Sequence, residues 1–169
     1  YINRIIQIHS DLGRKIMPEL KLLQVKDVME TRTVRIQQDA NMYRAAEVAA
    51  LSRVSDLMVV GENDKFIGVL SEGDILRAAL PDMDEITAEG GSLDTAFEIF
   101  LQKGKNLSNL PILPFVNTEP TVVHPQDHIA KAATVMIDQN IRQMPVIKDG
   151  KLVGSISRAD VCQAVVGNV

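Results

Sequence analysis

The chain has 169 residues, 46% of them hydrophobic but only 4% aromatic, and it lacks tryptophan, so aliphatic side chains must fill its core. Its 18 Lys and Arg are well mixed with 22 Asp and Glu to a net charge of −4, and nothing in that pattern points to the basic face that nucleic acid or an anionic membrane requires. No apolar run reaches the length of a membrane span, no signal peptide is visible, and the single cysteine has no internal disulfide partner, so a cytoplasmic location is expected.

Taken in chain order, residues 1–24 open with Ile2, Ile5, His9, Leu12 and Ile16 at helical spacing, which predicts an N-terminal helix weakened by Gly13 and Pro18. The chain begins with Tyr1 rather than Met, so we expect a fragment with sequence upstream. Residues 33–36 read as a strand, and the Ala-rich stretch 40–53 as an amphipathic helix capped by Asp39. Strands at 57–60 and 66–70 flank the polar turn Glu62, Asn63, Asp64 and Lys65, and a helix at 71–80 follows.

Residues 81–111 form an insert that begins acidic, with Asp82, Asp84, Glu85 and Glu89, and turns at Gly90-Gly91. A helix is predicted at 92–103, with Ser92 as N-cap, Gly104 as stop, and Leu93, Ala96, Phe97, Phe100 and Leu101 on an apolar face. That face is expected to pack on the rest of the chain or to serve as a dimer surface. The order then recurs in residues 112–169: a strand at 121–124, a helix at 127–140 after Pro125-Gln126-Asp127, strands at 144–147 and 152–156 around Lys148, Asp149, Gly150 and Lys151, and a helix at 157–166. Within that last helix, apolar flanks mark Cys162 as a small buried hydrophobe.

This recurrence is an internal repeat. The segment from Met58 to Ile75 aligns with that from Met144 to Val161 without a gap, which sets Gly68, Ser71 and Asp74 against Gly154, Ser157 and Asp160. Upstream, Thr33-Val34 matches Thr121-Val122 and Ala45-Ala46 matches Ala132-Ala133, with the second copy about two residues shorter in the connection. Each copy reads β-α-β-β-α. A single copy is too small to bury its own sheet face, so the two (25–80 and 112–169) are expected to pack face to face in an α/β (α+β) fold with pseudo-twofold symmetry.

The paired Gly-x-x-Ser-x-x-Asp patterns, the Val25-Lys26-Asp27-Val28-Met29 lead-in and Met144-Pro145-Val146 resemble the CBS domain family, named after cystathionine beta-synthase. The resemblance implies a Bateman module: two repeats that bind AMP, ADP, ATP or S-adenosylmethionine in the clefts between them and regulate an attached or partner protein, commonly as a homodimer. It implies two sites. One joins Ser71 and Asp74 to Thr121, Val122, Ile141 and Arg142; the other joins Ser157 and Asp160 to Thr33, Val34, Ser55 and Asp56. In the family the Ser serves phosphate and the Asp serves ribose. That division suits a helix N-terminus, where backbone N–H groups favour an anion and a carboxylate accepts from hydroxyls.

Ser-x-x-Asp is equally a capping box that satisfies backbone donors, and both roles can coexist. The gapless alignment sets Arg142 opposite Asp56 and Arg158 opposite Glu72. Arg142 is then expected to attract phosphate where Asp56 repels it, with Arg158 offsetting Asp56, so that the Asp74–Arg142 cleft is the better nucleotide site.

No catalytic or metal site is expected. His9, His124 and His128 are the only histidines, and Pro125 keeps the last two off a common helix face. Lys103-Gly104-Lys105 lacks a phosphate-loop frame, and Cys162 has no base nearby in sequence. The rival readings are a ligand-free structural or dimerisation module, and a regulatory fragment of a larger enzyme or transporter.

Overall fold

The computed structural model describes residues 23–167. The predicted N-terminal helix therefore lies largely outside the described residues. Within them the chain runs α1 (Val25–Val28), β1 (Arg35–Gln37), α2 (Met42–Ser52), β2 (Asp56–Val60), β3 (Phe66–Ser71), α3 (Glu72–Ala79), α4 (Met83–Ala88), α5 (Leu93–Leu107), α6 (Ile129–Asp138), β4 (Gln143–Lys148), β5 (Lys151–Ser157) and α7 (Arg158–Val166). The strands form two small sheets: β1-β2-β3, with β1 parallel and β3 antiparallel to β2, and the antiparallel pair β4-β5.

Alternation along β2 explains how the layers stack. Leu57 and Val59 point into a core shared with α2 and α3, while Met58 and Val60 point the other way, into a second core with Ile147 and Leu152 of the other repeat. Both faces of β2 are thus buried, and its apolar run is continuous rather than alternating. A third core holds Val123, Ala132, Met136, Met144, Val146, Ile156 and Val161 beneath α6 and α7. The repeats pack face to face, as the α/β (α+β) reading expected.

The hairpins show where the alignment needs correction. Ser71 faces Asp56 across β2-β3, whereas Ser157 faces Gln143 across β4-β5. The amide of Glu72 donates to the Ser55 carbonyl (2.9 Å), and that of Arg158 donates to the Arg142 carbonyl (3.0 Å). The counterpart of Arg142 is therefore Ser55, not Asp56, and Asp56 corresponds to Gln143. The copies differ by one residue inside the hairpin turn, not by two upstream. The first turn is a 3-10 segment, Glu62–Asp64, with Asn63 and Asp64 at positive φ. The second is a tight turn in which Asp149 and Gly150 both have positive φ, as a two-residue hairpin requires.

The first strand of the second repeat, expected at 121–124, does not form. Only an isolated parallel bridge, Val123 to Val146, remains. Two prolines account for this. In the first repeat Met58 N–H donates to the Val34 carbonyl (3.3 Å) and Gln38 N–H to the Val60 carbonyl (2.9 Å); their counterparts are Pro145 and Pro125, which have no N–H to give. The other strand, expected at 33–36, forms slightly later as β1.

Helix starts also move. The N-caps are Asn41, whose side chain accepts from Arg44 N–H (2.9 Å), and His128, not Asp39 and Asp127. Asp127 instead accepts from His124 N–H and the Lys131 ammonium. In the insert, α5 runs straight through Gly104 to Leu107. A mid-helix glycine costs about 1 kcal/mol, and burial of Leu107 and packing of Phe100 against the first repeat outweigh it. Leu93, Phe97 and Leu101 of the expected packing face are exposed. The acidic opening of the insert folds as α4 on an Asp82–Glu85 capping box, and Lys103 ties it to α5 through Glu85 (2.8 Å). Cys162 is exposed rather than buried, at the rim of an apolar groove between α6 and α7.

Candidate functional site

The lead-in segments of the two repeats exchange places. Glu30, ahead of β1, pairs with Ser155 of β5 through N–H to carbonyl bonds of 2.9 Å in both directions. Asn117, ahead of the second repeat, pairs in the same way with Val69 of β3 at 2.9 and 3.0 Å. Accordingly Val25, Val28 and Met29 belong to the core of the second repeat, and Ile112, Phe115 and Val116 to that of the first.

Both glycines of the repeated pattern sit at these crossings. A Cβ on Gly68 would overlap the Asn117 carbonyl oxygen and lie 2.7 Å from Val116 Cγ1. A Cβ on Gly154 would lie 2.7 Å from the Glu30 carbonyl oxygen and 3.2 Å from Met29 Sδ. Each glycine therefore admits the other repeat's lead-in one residue before the bridged position and three residues before the Ser that starts the next helix.

Ser71 and Ser157 cap α3 and α7, and both form complete capping boxes. Ser71 N–H and hydroxyl both donate to Asp74 Oδ2 (2.9 and 2.6 Å), and Asp74 N–H donates to Ser71 Oγ (3.1 Å). The second copy repeats this with Ser157 and Asp160 at 2.7, 2.7 and 3.2 Å. The capping role is thus real in both copies. In each, one carboxylate oxygen is spent on the cap.

The copies differ in the remaining oxygen. Asp74 Oδ1 accepts from Arg77 Nη2 at 2.6 Å, whereas no donor among the described residues meets Asp160 Oδ1. Burial pushes the Asp74 carboxyl up, but the Ser71 hydroxyl and amide and the Arg77 guanidinium outweigh it and hold the group below the usual carboxylate range. Arg77 was not legible as a site residue; its only sequence signal is an Arg three positions after the Asp on one helix face.

Arg142 is exposed and lines a groove with Ser55 and Glu72 at the start of α3 that extends over Ala49, Ile75 and Leu76; Ser71, Asp74, Thr121 and Val122 are not part of that lining. Asp56 faces this group, and the groups that act on its charge are Ser55, Glu72, Asp74 and Arg142 rather than the Asp160 side to which the expectation assigned it. Burial raises its carboxyl above the ordinary range, the charges of Glu72 and Asp74 add to the rise, and the Ser55 hydroxyl and Arg142 oppose it. Val122 packs beside Val69 and Met58 in the inter-repeat core, and Thr121 Oγ1 hydrogen-bonds Gln139 Oε1 (2.7 Å). Ile141 is half-buried and packs on the core of the second repeat.

Around Asp160, the neighbours include Asp27 and Val28 of the exchanged α1, and Gln163. Thr33 and Val34 lead into β1, with Val34 hydrogen-bonded to Met58. Arg158 does not offset the charge of Asp56. Its Nε donates to the Ile141 carbonyl (2.8 Å), and its Nη2 to the Met136 carbonyl (2.7 Å) and Asn140 Oδ1 (3.2 Å), so it closes the C-terminal end of α6.

The raised Asp56 carboxyl has a consequence for stability. Protonation favours the folded state, so its favourable contribution is present below its ordinary value of 3.8 and is lost as pH rises through the elevated folded value. We expect Asp56→Asn to raise the melting temperature at pH 7 by about 2–4 °C, and the gain to vanish towards pH 4. Thermal melts at the two pH values check this; a pH-independent difference would contradict it.

A family model for the CBS domain matches residues 25–81 and 114–167. The chain belongs to the CBS domain family. It is 24% identical over 157 residues to the uncharacterized protein MJ1426 of Methanocaldococcus jannaschii, covering 86% of this chain and 93% of that one. It is 28% identical over 131 residues to the CBS domain-containing protein CBSX1, chloroplastic, of Arabidopsis thaliana, covering 71% of this chain but only 53% of CBSX1.

Among solved structures, CBSX2 of Arabidopsis thaliana in complex with AMP superposes with a TM-score of 0.64 at 23% identity, covering 86% of this chain and 97% of that one. The CBS domain pair of MJ0100 in complex with 5′-methylthioadenosine and S-adenosyl-L-methionine gives 0.61 at 17% identity, covering 88% and 99%. These likenesses establish a CBS-pair fold. Among the described residues, no helix is long and apolar enough to cross a membrane.

Proposed function

We propose that this CBS pair is a regulatory sensor of adenosine-containing ligands, with one cleft at Ser71–Asp74 and one at Ser157–Asp160. The observation that carries it is the matched pair of Ser-Asp helix starts, each beside the crossing point of the other repeat's lead-in. A ligand held there touches both repeats, so it can bias their relative geometry and hence a partner. The AMP complex of CBSX2 and the 5′-methylthioadenosine and S-adenosyl-L-methionine complex of the MJ0100 pair make an adenosine ligand the favoured class.

The Asp74 cleft is the better site for a phosphate-bearing nucleotide, because Arg142 lies beside the start of α3. The Asp160 cleft suits a less anionic ligand, since Asp27 borders it and Arg158 is committed elsewhere. Exposed Leu76, Ile137, Val165 and Val166 on the outer helices support a homodimer through helix faces.

A ligand-free structural module is the second reading, favoured by the fact that both Ser-Asp pairs form complete capping boxes within their own helix starts. Calorimetric titration with AMP, ADP, ATP and S-adenosylmethionine separates the two. Saturable binding that falls by more than about tenfold in Asp74→Ala or Asp160→Ala is expected, the scale of a lost charge-assisted contact. Folded protein that binds none of the four would establish the structural module instead.

A further inference from the structure

The two Ser-Asp helix starts differ at two linked positions. In the first repeat the helix carries Gly73 and Arg77; the matching residues of the second are Ala159 and Gln163. Arg77 folds back over Gly73 to reach Asp74. A Cβ on Gly73 would lie 3.3 and 3.6 Å from the two terminal guanidinium nitrogens of Arg77, and 3.5 Å from Ser71 Oγ. The bare glycine leaves the guanidinium uncrowded, and both the guanidinium and the capping hydroxyl border the space where its Cβ would stand. In the second repeat an alanine fills the corresponding space and no cation follows it.

We propose that Gly73 and Arg77 form a phosphate-selecting latch in the Asp74 cleft. This deepens the sensor reading above and rests on it. In the ligand-free protein Arg77 holds Asp74 Oδ1, the carboxylate oxygen that a ribose hydroxyl would need. A neutral nucleoside competes with Arg77 for that oxygen and gives it nothing in return. A nucleotide supplies a phosphate at the helix start, onto which the released guanidinium moves, exchanging one anion for another. The pair is suited to such an exchange, because the Arg77 side chain is 70% exposed and an exposed ion pair is weak. Gln163 is uncharged and brings no cation to exchange between carboxylate and phosphate, so the Asp160 cleft has no such filter.

The test uses AMP and adenosine as probes, titrated into the full chain carrying Asp160→Ala so that only the Asp74 cleft reports. Arg77→Gln is expected to lower the preference for AMP over adenosine by roughly tenfold, through weaker AMP binding and tighter adenosine binding. Gly73→Ala leaves Arg77 in place but crowds its guanidinium, and is expected to reduce the preference in the same direction. The double change Ala159→Gly with Gln163→Arg, in the Asp74→Ala background, should raise the AMP preference of the other cleft.

An unchanged AMP-to-adenosine ratio in Arg77→Gln, with binding intact, overturns the latch and leaves the sensor reading standing. Failure of both probes to bind the parent chain, shown to be folded by its melt, overturns the sensor reading and the latch with it.

Discussion

Gly68→Ala is expected to be among the most destabilising single substitutions in this protein, at about 3 kcal/mol, equivalent to a melting temperature lower by about 6–12 °C. The cause is specific. The added methyl group would overlap the Asn117 carbonyl oxygen and crowd Val116 Cγ1 at 2.7 Å, and the carbonyl cannot step aside without breaking the paired Val69–Asn117 backbone bonds. The equivalent Gly154→Ala should cost less, about 1–2 kcal/mol, because its contacts are longer and one of them, Met29 Sδ, belongs to a flexible side chain. Thermal denaturation of the two variants tests the ordering. Since the crossing segments lead on to Thr33-Val34 and Thr121-Val122, Gly68→Ala should also weaken ligand binding. Equal and small losses at the two glycines would mean that the crossings yield more readily than their hydrogen bonds imply.

Arg158→Ala is the second large effect we expect, at about 2 kcal/mol and a melting temperature lower by about 4–8 °C. Arg158 supplies donors to two backbone carbonyls and an amide oxygen where α6 ends; its removal takes the guanidinium from the half-buried Ile141 carbonyl and leaves the Met136 carbonyl with only the Ile141 N–H (3.0 Å). Arg158→Lys should recover less than half, because one ammonium cannot reproduce the spread of the guanidinium fork. Glu72, its counterpart, is exposed, and Glu72→Ala should change stability by no more than about 0.5 kcal/mol. Calorimetric melts decide this. A stable Arg158→Ala protein that had lost AMP binding would instead make Arg158 a phosphate contact.

Much of the fold was legible because it rests on local chemistry repeated twice. The Gly-x-x-Ser-x-x-Asp pattern marks a hairpin running into a capped helix, and the structure has both caps. The Ala-rich helices follow from side-chain periodicity, and the aliphatic composition supplies the three cores. Even α4, which was missed, carried a readable signal in Asp82 and Glu85.

What the sequence by itself determined was the repeat, the hairpin and helices common to both halves and the position of the Ser-Asp helix starts, since capping and periodicity act over a few residues. Tertiary structure decided the rest. Only strand pairing shows that Arg142 answers to Ser55, because a one-residue difference in a turn is invisible to an alignment free to slide. Only three-dimensional contact shows Arg158 closing α6, Cys162 exposed, and Asp56 among Glu72, Asp74 and Arg142. The exchange of lead-ins is the clearest case. Glu30 meets Ser155 and Asn117 meets Val69 because two half-buried sheets each need an edge partner, and backbone hydrogen bonding, which depends little on side-chain identity, leaves no mark of that partner in the residues themselves.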